Sequence, residues 1–288
     1  MTAREARTLA PVAIAVVLAV AASIAVQVLE DVTTRVSIGV VVTAALLAFG
    51  VLLRRRPGCE GPADAVLALG AVSVFGWASA IITANEAVAH WISTASLPAV
   101  FLLVNSTKLI SVAVLLAIAV GYRWSPRRLL VTRGELNAPT GVPGLRWSVA
   151  GPLVIVVVSV LFLTDPAVLD RAHGADGLVG VLLGALPLLV AGPFVNAVSE
   201  ELLYRHALIG TTRSVTGPCV ALILSSVIFG LGHVTGNPGG VTGVLFTFVF
   251  GLVTGLAMLQ NRGTAWNTTI HFFADLAAIT GIVILGAT

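Results

Sequence analysis

Long apolar runs, separated by short polar clusters, fill the chain from end to end. Nine of them approach the length a helix needs to cross lipid, about 20 residues. They lie near 10–29, 36–53, 63–84, 98–120, 148–164, 177–199, 217–233, 240–259 and 265–286. Several are rich in Val and Ile, as in VIVVVSVLFL, which by propensity alone would read as strand. In lipid a strand leaves its edges without hydrogen-bond partners, so the pattern predicts helices throughout. The expected fold is an all-α polytopic membrane bundle of about nine transmembrane helices.

Composition supports that picture. Of the 288 residues 57% are hydrophobic and 10% charged, against about 25% charged in a soluble domain. The formal charge of +3 does not point to nucleic acid, because the basic residues sort by topology. With the N-terminus in the cytoplasm, the inner segments hold Arg4, Arg7, Arg54, Arg55, Arg56, Arg123, Arg127, Arg128, Arg133, Arg146, Arg205, Arg213 and Arg262. Arg35 and Arg171 fall outside, and Lys108 lies within a span. The outer loops hold Glu30, Asp31, Glu86, Asp165, Asp170 and Asp176. The composition, rich in Ala, Val and Arg, reads as bacterial, so the expected location is a bacterial cytoplasmic membrane. The two cysteines, Cys59 and Cys219, both fall on the inner side and form no metal-ligand pattern.

The first run follows two arginines and contains Ala19-Val20-Ala21, so cleavage as a signal peptide would leave eight helices. Its continuation through Val28 favours an anchor. The longest inner loop, 122–147, divides a front region, 1–147, from a back region, 148–288. No internal repeat is evident. In the front region the notable stretch is NSTK, Asn105 to Lys108. A lysine at this depth either neutralises a buried carboxylate or bends toward an interface.

The back region carries three polar sets inside apolar runs, where ionisable groups are functional candidates. In EELLYR, Glu201 and Arg205 stand four apart and share a helix face. Glu200 lies about 100° around the helix and is left without that partner. In FGLGH, Phe229 and His233 share a face, and the glycines admit a close neighbouring helix. In HFFAD, Asp275 is spaced to orient His271. Each set alone also fits ordinary interfacial or packing residues. Together they bring one carboxylate and two imidazoles on three helices, the parts needed to activate water.

The sets EELLYR, FGLGH and HFFAD resemble, in order and spacing, the motifs of the CPBP intramembrane protease family. That family includes CAAX prenyl endopeptidases and bacterial proteins of bacteriocin processing and immunity. The resemblance covers roughly the last 110 residues and makes 148–288 a protease core, with its motifs within 177–288. It implies that Glu200, helped by His233, activates the attacking water. It implies that His271 and Asp275 stabilise the oxyanion, while Glu201 and Arg205 hold the site together, with Phe229 part of that support. Asparagine at position 275 would donate a hydrogen bond, whereas an ionised aspartate only accepts. Asp275 must therefore be protonated, orient His271 or join a metal site. A divalent metal such as zinc is left open as cofactor. At His206, where many relatives have glycine, the reading is a surface or packing change. The expected partners are the lipid bilayer and a membrane-associated protein or peptide substrate. Intramembrane Glu, His and Asp also occur in transporters and proton relays, and a non-catalytic membrane partner could retain such motifs for stability. Serine, zinc and aspartyl intramembrane protease signatures such as His-Glu-x-x-His are absent from the sequence.

For Glu200 and His233 to meet, the helix bearing Glu200 must run on to about Thr212, with the turn RSVTGP projecting into the cytoplasm. Reagent labelling at Arg213 and Asn237 distinguishes the two sides.

Overall fold

The computed structural model describes residues 3–174, 177–236 and 239–286. Asp176 and Asn237, two positions used in the topology reading, lie outside them. The described residues form an all-α bundle whose only β feature is one isolated bridge, Pro139 to Arg146. The helices are α1 (Ala3–Val28), α2 (Val32–Arg54), α3 (Glu60–Ala84), α4 (Glu86–Thr94), α5 (Leu97–Ser106), α6 (Lys108–Gly121) and α7 (Trp147–Leu163). They continue with α8 (Pro166–Gly174), α9 (Leu178–Glu200), a π-helix (Glu201–Ile209), α10 (Gly210–Thr216), α11 (Pro218–Leu231), α12 (Gly240–Asn261) and α13 (Ala265–Gly286).

Every predicted span is helical, and the all-α polytopic bundle fits. Seven helical stretches are long and apolar enough to cross a membrane, and an eighth qualifies if α7 and α8 count as one span. Those two are bent by 68° at Thr164 and Asp165. The stretch predicted as 217–233 contains only α11, 14 residues. The helix before it is correspondingly longer. From Leu178 to Thr216 the backbone is one continuous 39-residue helix, extending past the expected Thr212.

Burial is greatest along α3, where Ala63, Ala65, Val66, Ala68 and Leu69 are fully enclosed. Small residues on this helix let α1, α2, α6 and the π-helix pack around it. The same logic holds for Gly230, where a Cβ would come within 2.8 Å of the Val244 carbonyl oxygen of α12. On the front side Asp64, fully buried in α3, binds Arg54 of α2 and Arg128 of the loop between α6 and α7.

The 122–146 loop is tied down. Thr264 N–H donates to the Thr132 carbonyl, Glu135 N–H to that of Asn261, and Trp266 Nε1 to that of Leu136. His206 is part of this joint. It is buried, with Nδ1 at 2.8 Å from the Leu129 carbonyl and Nε2 at 3.1 Å from Thr264 Oγ1. Its role is packing inside the protein, and the surface reading falls.

Candidate active site

The first motif straddles the junction of α9 and the π-helix. Glu200 is the last residue of α9 and Glu201 opens the π stretch. A π-helix bonds residue i to i+5 and recurs at functional sites, because its wider turn redirects the side chains that follow.

Glu201 is clamped from three directions. Its Oε1 accepts a hydrogen bond from His271 Nδ1 at 2.7 Å and lies 3.5 Å from Arg205 Nε, while Oε2 accepts from Asn267 Nδ2 at 2.6 Å. Arg205 is fully buried. It donates from Nε and Nη2 to Thr254 Oγ1, at 3.1 and 2.8 Å, and its guanidinium sits 4.0 Å from the Phe229 ring centre. The predicted Glu201–Arg205 pair is thus formed within a larger network.

Glu200, 4% exposed, is not left without a charged partner. Lys108 of α6 reaches its Oε1 at 2.5 Å. Its Oε2 is buried with no hydrogen-bond partner, and His271 Nε2 stands 3.3 Å away but outside hydrogen-bond geometry. Of the two readings of Lys108, neutralisation of a buried carboxylate matches the structure. The break between α5 and α6 at Thr107 sets this lysine at the start of a helix that points into the bundle.

His271 is the junction of the cluster. An ionised carboxylate only accepts hydrogen bonds, so the Nδ1 facing Glu201 carries a proton. Nε2 then faces Glu200 Oε2 at 3.3 Å and Asp275 Oδ1 at 3.7 Å. Asp275 Oδ2 accepts from Asn196 Nδ2 at 2.9 Å, and Asn196 Oδ1 accepts from Lys108. Three carboxylates here face two permanent cations. Electroneutrality in a low-dielectric setting calls for one further proton, and His271 between two acids is placed to carry it.

His233 follows the end of α11. Its Nδ1 donates to the Phe229 carbonyl at 2.9 Å, which leaves Nε2 as a proton acceptor. The Phe229 ring packs edge-on against His233 at 4.8 Å and against His271 at 5.9 Å, so both imidazoles flank one phenyl group. Phe229 also takes Arg205 and Tyr204 on its faces and edge, which makes it the apolar hub of the site.

The arrangement does not fit a divalent metal. Among the described residues no group of three or more His, Cys, Asp and Glu side chains is disposed to hold one. Glu200 Oε1 is already taken by an ammonium, and His271 Nδ1 by Glu201.

The sequence reading missed Asn196, Thr254 and Asn267. A signal was available for two of them. Asn196 precedes Glu200 by one turn and Asn267 precedes His271 by one turn, each inside a predicted span.

The region matches a known family. Residues 182–277 fit the model of the Rce1-like family, described as type II CAAX prenyl endopeptidase Rce1-like. No curated protein and no solved structure matches the chain. The matched stretch contains all three motifs and most of the cluster around His271, and residues 182–277 thus match the Rce1-like domain of the CPBP/CAAX protease family.

Proposed function

We propose that the chain is an intramembrane endopeptidase acting on membrane-associated proteins or peptides, with Glu200 as the base. The observation that carries this reading is the buried, unpartnered Glu200 Oε2 beside His271 Nε2. A carboxylate oxygen kept free in a lipid-shielded site, its twin tethered by a lysine, is suited to take a proton from water. In the proposed step a water between Glu200 and His233 Nε2 gives up a proton as its oxygen attacks the peptide carbonyl carbon. The oxyanion collapses, the C–N bond breaks, and the proton passes to the leaving amine. His271 donates toward the oxyanion, and Asp275, held by Asn196, keeps His271 oriented. Glu201, Arg205 and Phe229 fix the positions of these groups.

The test uses purified protein in liposomes and two quenched fluorogenic peptides, one with a prenylated C-terminal CAAX sequence and one with an unmodified apolar segment. Wild type cleaves at least one of them, and Glu200→Gln, still folded as judged by its helical circular dichroism and a cooperative melting transition, loses about 10²–10⁴-fold in rate. Unchanged cleavage in Glu200→Gln rejects Glu200 as the base. An ion flux lost in the same variant, with no cleavage by wild type, supports transport instead.

A further inference from the structure

We infer that Lys108, from the region of the chain outside the matched domain, is a positioning residue for Glu200, and that residues 182–277 hold an incomplete site without it. This deepens the endopeptidase reading and rests on it.

The ammonium of Lys108 has three protons and three acceptors. Asn105 Oδ1 lies at 2.7 Å, Glu200 Oε1 at 2.5 Å, and Asn196 Oδ1 takes the third. A saturated ammonium has no donor left for a substrate oxygen. Its contribution is to hold what it touches. By fixing Oε1 it sets the rotation of the Glu200 carboxyl, and so decides that Oε2 faces His271. Through Asn196 it reaches Asp275 as well, so one lysine places the carboxylates on both sides of His271 Nε2. Lys108 is 6% exposed, and its ammonium is 5.1 Å from the Phe75 ring centre of α3. No bulk water competes for it. The charged and titratable groups around Glu200 are Lys108 of α6, Glu201, Tyr204 and Arg205 of the π-helix, His233 beyond α11, and His271 and Asp275 of α13. Lys108 is the one among them that bonds Glu200 without belonging to the three motifs.

A residue that only filled space here would affect folding but not the chemical step selectively. In liposomes, Lys108→Ala should lower kcat by about 10²-fold, the scale of a base displaced by about 1 Å, with KM within about twofold of wild type. Ethylammonium, which can occupy the space vacated by the side chain, should restore part of that kcat in a concentration-dependent way and leave wild type unaffected. A kcat within threefold of wild type, or a loss that ethylammonium does not relieve at all, overturns the positioning role while cleavage by wild type upholds the parent reading. The pairing itself is tested without activity. In a cycle of Lys108→Met, Glu200→Gln and the double variant, each single change should lower the melting temperature and the double should lower it by less than their sum. Additive shifts overturn the pair. If wild type cleaves neither peptide, the endopeptidase reading falls, and the positioning role falls with it.

Discussion

Replacing Arg205 by methionine separates a clamp from an ornament. The side chain is fully buried and holds together Glu201, Thr254 and the Phe229 ring. Methionine keeps much of the volume and removes the charge. Glu201 would remain with Asn267 and His271 but with no permanent cation beside it. Breaking one side of a buried ion pair costs about 3–5 kcal/mol, which is roughly two to four decades in the ratio of folded to unfolded protein. Arg205→Lys keeps the charge and loses the stack on Phe229, at about 2 kcal/mol or somewhat less, together with the forked bond to Thr254. The double variant Glu201→Gln/Arg205→Met removes both charges and should recover most of the loss, since neutral replacement of a buried pair is close to neutral in stability. The assay is equilibrium unfolding in mixed dodecyl maltoside and dodecyl sulfate micelles, followed by the fluorescence of the five tryptophans. A loss below about 1 kcal/mol for Arg205→Met, the scale of an exposed pair, would refute the clamp. So would a double variant as unstable as the single.

Gly230→Ala places a methyl group 2.8 Å from the Val244 carbonyl oxygen, and the forced separation of α11 and α12 should cost about 1–3 kcal/mol in the same unfolding assay. His206→Ala leaves the buried Leu129 carbonyl without its partner, costing about 1–3 kcal/mol. Limited proteolysis should then nick the 122–146 loop faster than in wild type. The native cysteines test the orientation. Cys59 and Cys219 flank neighbouring turns, since Gly61 of α3 approaches Val215 of α10. With this end in the cytoplasm, an impermeant maleimide labels exposed Cys219 in inverted vesicles and not in intact cells. The reverse result inverts the topology.

The helices were legible because lipid imposes one backbone solution on any long apolar run. Their ends were less so. The run 217–233 is apolar on average, and its mean hydropathy does not mark that α11 stops at Leu231. Nor does hydropathy show that α9 continues through the π-helix to Thr216. A π stretch follows from how surrounding side chains fit, so the local sequence ELLYRHALI does not announce it. At the site, the Glu201–Arg205 pair could be read from the four-residue spacing. The partner of Glu200 could not, because Lys108 comes from 92 residues away and only tertiary packing joins them. Asp64 escaped for a related reason. It stands at the edge of an apolar run, where an acid reads as interfacial, yet two arginines from other segments enclose it completely.

The brevity of α11 has a consequence for how a hydrolytic reagent gets in. Fourteen residues rise about 21 Å, against a hydrocarbon thickness of about 30 Å. The chain leaves helical form at Gly232 and makes turns through Gly236, sooner than a full crossing would need. Peptide groups freed there demand either solvent or neighbouring protein. Protein supplies part of this, as Gln27 of α1 donates to the Leu231 carbonyl and accepts from Thr235. Thr235 and Gly236 stay exposed, within three residues of His233. The shortfall of one helix thus leaves exposed, polar backbone next to His233, on the side from which the proposed hydrolysis would draw its water.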